Sequence, residues 1–204
     1  MLAFIRIWQS QDELTFSQRW ASYLTLLTIV GLIFAGVTFR NSILFRTAFY
    51  QDTLTGISAD YPFNWLIDSS GDYVFRVRDM QYSGFKTTIQ VSLISIGTDV
   101  TTRNVADRLA LSRAQVLTDY RVVSVEPFYL NLANTREEET QSVLYTFVDR
   151  DRSPFLEGLS AVVIGLDVIQ LSGNQAVIIT FRADRENYDQ QYPLFERFLL
   201  TLNF

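Results

Sequence analysis

Twenty consecutive residues, Trp20 to Phe39, carry no charge and are bracketed by Arg19 and Arg40. At a rise of 1.5 Å per residue, a helix of that length covers about 30 Å, the thickness of a bilayer's hydrocarbon core. A helix lining a soluble core would normally keep a polar stripe. This run offers only Ser22, Thr25, Thr28 and Thr38, whose hydroxyls can bond to the helix's own carbonyls. The run predicts a single transmembrane helix over 20–39, with an extension to residue 49 left open because Ile43, Leu44 and Phe45 stay in helical register. Arg19, Trp20, Tyr23 and Arg40 are the expected anchors at the two membrane interfaces, where charged and amphipathic side chains reach water. A cleaved signal peptide is the rival reading. The run exceeds a signal's apolar core of about 7–15 residues, its leading segment contains Asp12 and Glu13, and no Ala-x-Ala triplet follows it.

Residues 1–19 mix Leu2, Ile5 and Trp8 at helical spacing with polar residues, which fits either an interfacial helix or a frayed tail. The positive-inside count ties, with Arg6 and Arg19 before the run and Arg40 and Arg46 after it. Long domains cross largely regardless of charge. The expected arrangement is therefore a cytoplasmic N-terminus and an extracytoplasmic C-terminal domain, on a plasma or thylakoid-type membrane. That domain, 50–204, is acidic: beyond Arg46 there are 13 basic and 20 acidic residues, a net charge of −7. An acidic surface repels nucleic acid, so none is expected as a partner.

The chain has no His and no Cys. Disulfides are excluded, and zinc, copper, haem iron and iron–sulfur sites lose their usual ligands. Only an oxygen-ligand calcium or magnesium site stays open. Glu137-Glu138-Glu139 lacks the spaced pattern of a calcium loop, so no metal and no cofactor is expected.

Downstream, period-2 alternation and turn residues predict strands. A hairpin or two short strands are read over 53–62, then strands over 65–68, 73–79 and 87–96. A helix over about 102–119, capped by Asp99, Thr101 or Thr102, follows from Val105, Leu109 and Val116 on one face. Edge-like segments flank Pro127, and 134–140 reads as a loop before a strand over 141–148. Strands over 161–171 and 175–181 form a hairpin around Ser172-Gly173-Asn174. Ala176-Val177-Ile178-Ile179 is apolar on both faces, which predicts a central strand covered on each side. A last helix over about 185–201 should hold Pro193 in its first turn or be kinked by it. The expected class is α+β, with an antiparallel sheet and helices on its two faces.

Gly56-Ile57-Ser58-Ala59-Asp60-Tyr61-Pro62-Phe63-Asn64-Trp65 resembles the G-[FI]-S-x-x-Y-P-x-x-W signature that opens PsbP-family domains. The run 176–181, then Tyr188, Pro193-Leu194-Phe195 and Leu202-Asn203-Phe204, is similar to that family's last strand and helix. The resemblance implies an α/β/α sandwich without catalysis and a tendency to dock on larger membrane assemblies. Its metal sites draw on His, which this chain lacks, so none is carried over. The signature residues Gly56, Tyr61, Pro62, Trp65, Pro193 and Phe195 are read as structural: turns and buried rings rather than ligand contacts.

Catalytic side chains are scarce. Asp149 and Asp151 flank Arg150, and Asp184 stands near Glu186, in patterns better explained by solvated ion pairs. Ser83-Gly84-Phe85-Lys86 matches Ser-x-x-Lys, but lies in a glycine-containing loop without the partner motifs of that chemistry. Thr28, Gly31 and Ala35 form a small-residue strip on the apolar helix that would let another helix approach closely. The expected function is a non-catalytic, membrane-anchored accessory subunit of a larger membrane complex, photosynthetic or respiratory, with membrane lipid and integral membrane subunits as partners. The alternative is a stand-alone cell-envelope module that binds or senses a ligand in an apolar pocket between sheet and helix. An enzyme using Asp or Ser is the third reading.

Overall fold

The computed structural model describes residues 16–44, 46–81, 84–97, 99–128, 140–150 and 160–204. The readings made for 1–15, Ser83, 129–139 and Asp151 fall outside these residues. The chain divides into two compact units, Met1–Arg46 and Thr47–Phe204.

The first unit holds α1 (Phe16–Leu44). Within it Trp20–Arg40 is long and apolar enough to cross a membrane, and none of that stretch is buried by the rest of the protein. The helix starts earlier than residue 20, and it stops at Leu44 rather than running to 49. Beyond it Thr47, Ala48, Phe49, Tyr50 and Gln51 form a strand. From Thr47 on, the helical spacing yields to tertiary packing, because Tyr50 packs on buried Phe75 with ring centroids 4.8 Å apart and the rings tilted.

The second unit is built on an antiparallel sheet. β1 (Thr47–Gln51) and β2 (Ser58–Pro62) pair as a separate hairpin. β3 (Leu66–Asp68), β4 (Phe75–Arg78), β5 (Thr88–Ser95), β6 (Thr118–Pro127), β7 (Thr140–Asp149), β8 (Ala161–Ser172) and β9 (Gln175–Asp184) form a seven-stranded sheet. Its order is β3-β4-β5-β9-β8-β7-β6. β9 therefore sits at the centre, as its doubly apolar sequence requires, and β8 turns into it through Gly173 at φ 58°.

Two helices complete the unit. α2 (Thr102–Val116) is capped by the Thr101 hydroxyl, which accepts from the Asn104 amide. α3 (Tyr188–Thr201) closes the chain. Alternation along β9 sends Val177, Ile179 and Phe181 to one face and Ala176 and Ile178 to the other. On the first face they pack with Phe195, Phe198 and Leu199 of α3, and with Ile57, Ala59 and Trp65. On the second they pack with Val105 and Ala106 of α2. Both faces are thus covered by helix, the arrangement expected from sequence.

Several boundaries differ from the sequence reading; residues 53–57, read as part of a hairpin over 53–62, are the turn between β1 and β2. α2 ends at Val116 instead of 119 because Thr118 already pairs with Val148. The segment before Pro127 belongs to β6, a strand at the sheet's edge that ends at Pro127, where a proline removes no shared hydrogen bond; the segment read after it lies, except for Phe128, outside the described residues. Pro193 lies inside α3 beyond its first turn, where it has no N–H to give the Asp189 carbonyl.

Candidate functional site

The signature residues sit in the frame of the second unit. Gly56 has φ +77° in the β1–β2 turn, a conformation an L side chain resists. There Asp52 receives the Gly56 amide on its carbonyl and the Thr55 amide on its carboxylate. Trp65 is buried, and its amide bonds the Pro62 carbonyl. Pro62 is buried, and Tyr61 packs against the main core. Phe195 is fully buried and stacks on Phe181 at 4.9 Å with the rings 11° from parallel. Burying such a ring contributes about 1.5–3 kcal/mol.

The least expected cluster is beneath α2. Asp167 of β8 is 1% exposed and forms an ion pair with Arg113. It also accepts from the Thr180 hydroxyl at 2.7 Å. Arg113 lies 4.6 Å from the centroid of the buried Tyr145 ring, and Arg182 donates to the Tyr145 hydroxyl at 3.1 Å. Tyr145 stands opposite Gly165, where a Cβ would collide with the ring's Cζ and its hydroxyl end. Burial pulls the Arg113 guanidinium below its ordinary range and pushes Tyr120 up. Asp167 is thus held by a charge and a hydroxyl at once.

At the other end of the sheet, Asp68 accepts from Ser70, from the Tyr73 hydroxyl at 2.8 Å, and from Arg76 at 2.9 Å. The Ser70 hydroxyl and amide, then Tyr73 and Arg76, hold the Asp68 carboxyl well below the usual range. Arg150 pairs with Asp119 at 3.3 Å on the surface. Among the described residues no three carboxylates gather into a group that would hold a metal ion.

Two clefts remain. One of about 430 Å³ lies between α2 and the end of β5, lined by Ile94, Ile96, Val100, Val105 and Leu109 with Arg108 beside them. Another of about 510 Å³ opens on the opposite face between β6, β7 and α3, with Leu144, Leu166, Tyr188 and Tyr192 on its walls. Burial raises the Tyr188 hydroxyl to about 12.

On α1, the Thr28 hydroxyl bonds back to the Leu24 carbonyl at 2.8 Å, and Thr25 and Thr38 do the same four residues back. Trp20 and Tyr23 are exposed, and Arg40 is too. Spacings of three and four place Thr28, Gly31 and Ala35 on one face, and a Cβ added at Gly31 would meet nothing within 4 Å. The side chain of Arg19 lies outside what is described.

No protein-family model matches the sequence, and no curated protein matches it. Solved structures match the shape of the second unit. The cyanobacterial PsbP (CyanoP) of Synechocystis superposes with a TM-score of 0.50 at 15% identity, covering 77% of this chain and 91% of that one. The Saccharomyces cerevisiae Ran-binding protein Mog1p gives 0.50 at 10% identity, covering 78% and 95%. The second unit has the PsbP-like fold. LpqN, involved in cell envelope biogenesis of Mycobacterium tuberculosis, shares it with a TM-score of 0.50 at 12% identity, covering 78% of this chain and 90% of LpqN. The PsbP-like domain thus recurs in proteins of unlike setting, so the fold by itself assigns no partner.

Proposed function

We propose that the chain is a non-catalytic, membrane-anchored docking subunit, held by α1 in the bilayer and bound through helix and PsbP-like domain to a larger membrane complex. The observation that carries this is α1 itself. It is a long apolar helix whose span is wholly uncovered by the protein's own fold, with a small-residue strip open to a neighbour. The closed Arg113–Asp167–Thr180 network supports a structural use of the buried charge. LpqN, by its cell-envelope role, favours an extracytoplasmic domain. A photosynthetic or respiratory assembly is the partner class to test first. Extraction in mild detergent followed by native sizing should carry the chain in a particle much larger than its own 23.5 kDa. Migration as a lone chain under every condition would contradict the proposal.

The cleft beneath α2 favours a second reading, a ligand-binding envelope module. Its volume falls within the range of small-molecule sites, about 300–1,000 Å³, and its lining is mainly aliphatic. A rise in thermal midpoint on adding a small hydrophobic acid, lost in Val105→Trp, would favour it; no shift would count against it.

A further inference from the structure

We infer that the cleft beneath α2 takes a single-chain carboxylic acid, with its chain against the aliphatic walls and its carboxylate on Arg108. The inference rests on the second reading above, that this cleft holds a ligand. It adds the ligand's class and the residue that reads its charge.

One wall is made by Ile94 and Ile96 at the end of β5 with Val100, the other by Val105 and Leu109 of α2. These side chains join the core cluster of Val143, Ile169, Ala176 and Ile178 on that face of the sheet. The slot therefore continues the domain's apolar interior, and a hydrocarbon chain placed there leaves water.

Asn104, Arg108 and Ser112 line the same cleft. Their spacing of four sets them on one face of α2, beside Val105 and Leu109. Arg108 makes no ion pair or hydrogen bond among the described residues, although the domain around it is acidic. Its neighbour Asp107 is engaged by Arg103 at 3.4 Å. The Asn104 carboxamide oxygen accepts from the Thr101 hydroxyl, and its nitrogen has no partner among the described residues. No acidic side chain lines the cleft or stands in the first turn of α2. The slot thus joins an apolar wall to hydrogen-bond donors, with no negative charge between them.

An arginine fork receives a carboxylate through two parallel hydrogen bonds. The domain's net negative charge admits one further negative charge more readily than a multiply charged phosphate. The side chains of Arg121 and Arg185 also lack a partner among the described residues, but they line neither of the two clefts. The other cleft carries Glu126 and Asp189, which repel a carboxylate.

The chain has no cysteine of its own, so a single introduced thiol reports on the cleft. Full-length Leu109→Cys in phosphatidylcholine nanodiscs is alkylated by a maleimide, with octanoate or 1-octanol present at equal free concentration. Leu111→Cys, exposed on α2 outside the cleft, controls for ligand dissolved in the lipid. Octanoate should slow the reaction at 109 several-fold, and octanol should match it only at about tenfold higher concentration. Neither should slow the reaction at 111. Adding Arg108→Gln should reduce octanoate to the level of octanol. Octanol protecting as well as octanoate, or octanoate protection that survives Arg108→Gln, would overturn the inference and leave a ligand-binding cleft. Protection at 109 no greater than at 111, with none at Ile96→Cys on the opposite wall, would overturn the cleft reading as well. Where Leu109→Cys fails to fold, Ile96→Cys carries the same comparison.

Discussion

Single residues decide whether the buried face of the sheet closes. Gly165 is constrained by the Tyr145 ring, so Gly165→Ala should cost about 1–3 kcal/mol, read as a lowered unfolding midpoint. Asp167→Ala strips the counter-charge from a guanidinium that is itself 12% exposed, and about 3 kcal/mol of stability should go with it. The double variant Arg113→Met/Asp167→Leu should recover most of that loss, because neither charge is then stranded. A double variant as unstable as the single would refute the network. Acid should act through Asp68. Its folded pKa is depressed, so its contribution is present above the unfolded value near 3.9 and fades as pH falls below it. The acid-side decline in unfolding midpoint should be shallower in Asp68→Asn than in the native chain. Tyr188 titrates the other way: raised to about 12, it favours the fold below pH 10 and loses that advantage as pH rises. Little of this was legible in the sequence. Asp167 stands alone in the apolar run of β8, and that oddity was the one available sign; its partner Arg113 lies 54 residues away on a helix.

Elements were read more reliably where one force sets them. The apolar run gave α1, alternation gave the strands, and the doubly apolar β9 announced the sheet's centre. The errors fall where two forces compete. Residues 47–49 could continue the helix, yet Tyr50 gains more by packing on Phe75 within a hairpin. Residues 117–119 extend the α2 pattern, but pairing with β7 captures them, with Asp119 at φ 54° at the bend. An apolar pocket between sheet and helix was expected in kind, but its lining was not legible, because it arises from a gap between elements rather than from any one segment. At this scale the small-residue strip makes its own prediction. Gly31→Leu should leave α1 in the membrane, since it only adds apolar surface, while shrinking the assembly seen in native sizing. An assembly of unchanged size would remove the strip from the account.

At the scale of the whole molecule, the chain combines a helix that suits lipid with a domain whose own core is complete. Phe75, Val77, Ile89, Phe181 and Phe195 are all fully buried within the second unit. The PsbP-like fold supplies the domain's shape, whereas α1 is the candidate membrane span. The proposed docking role depends on the stretch Trp20–Arg40 residing in the bilayer. Membranes from cells expressing the full chain, washed with alkaline carbonate, test this directly. The chain should stay with the membrane pellet, and a variant lacking residues 20–39 should be released to the supernatant. Recovery of the intact chain, folded, in the soluble fraction would contradict the account.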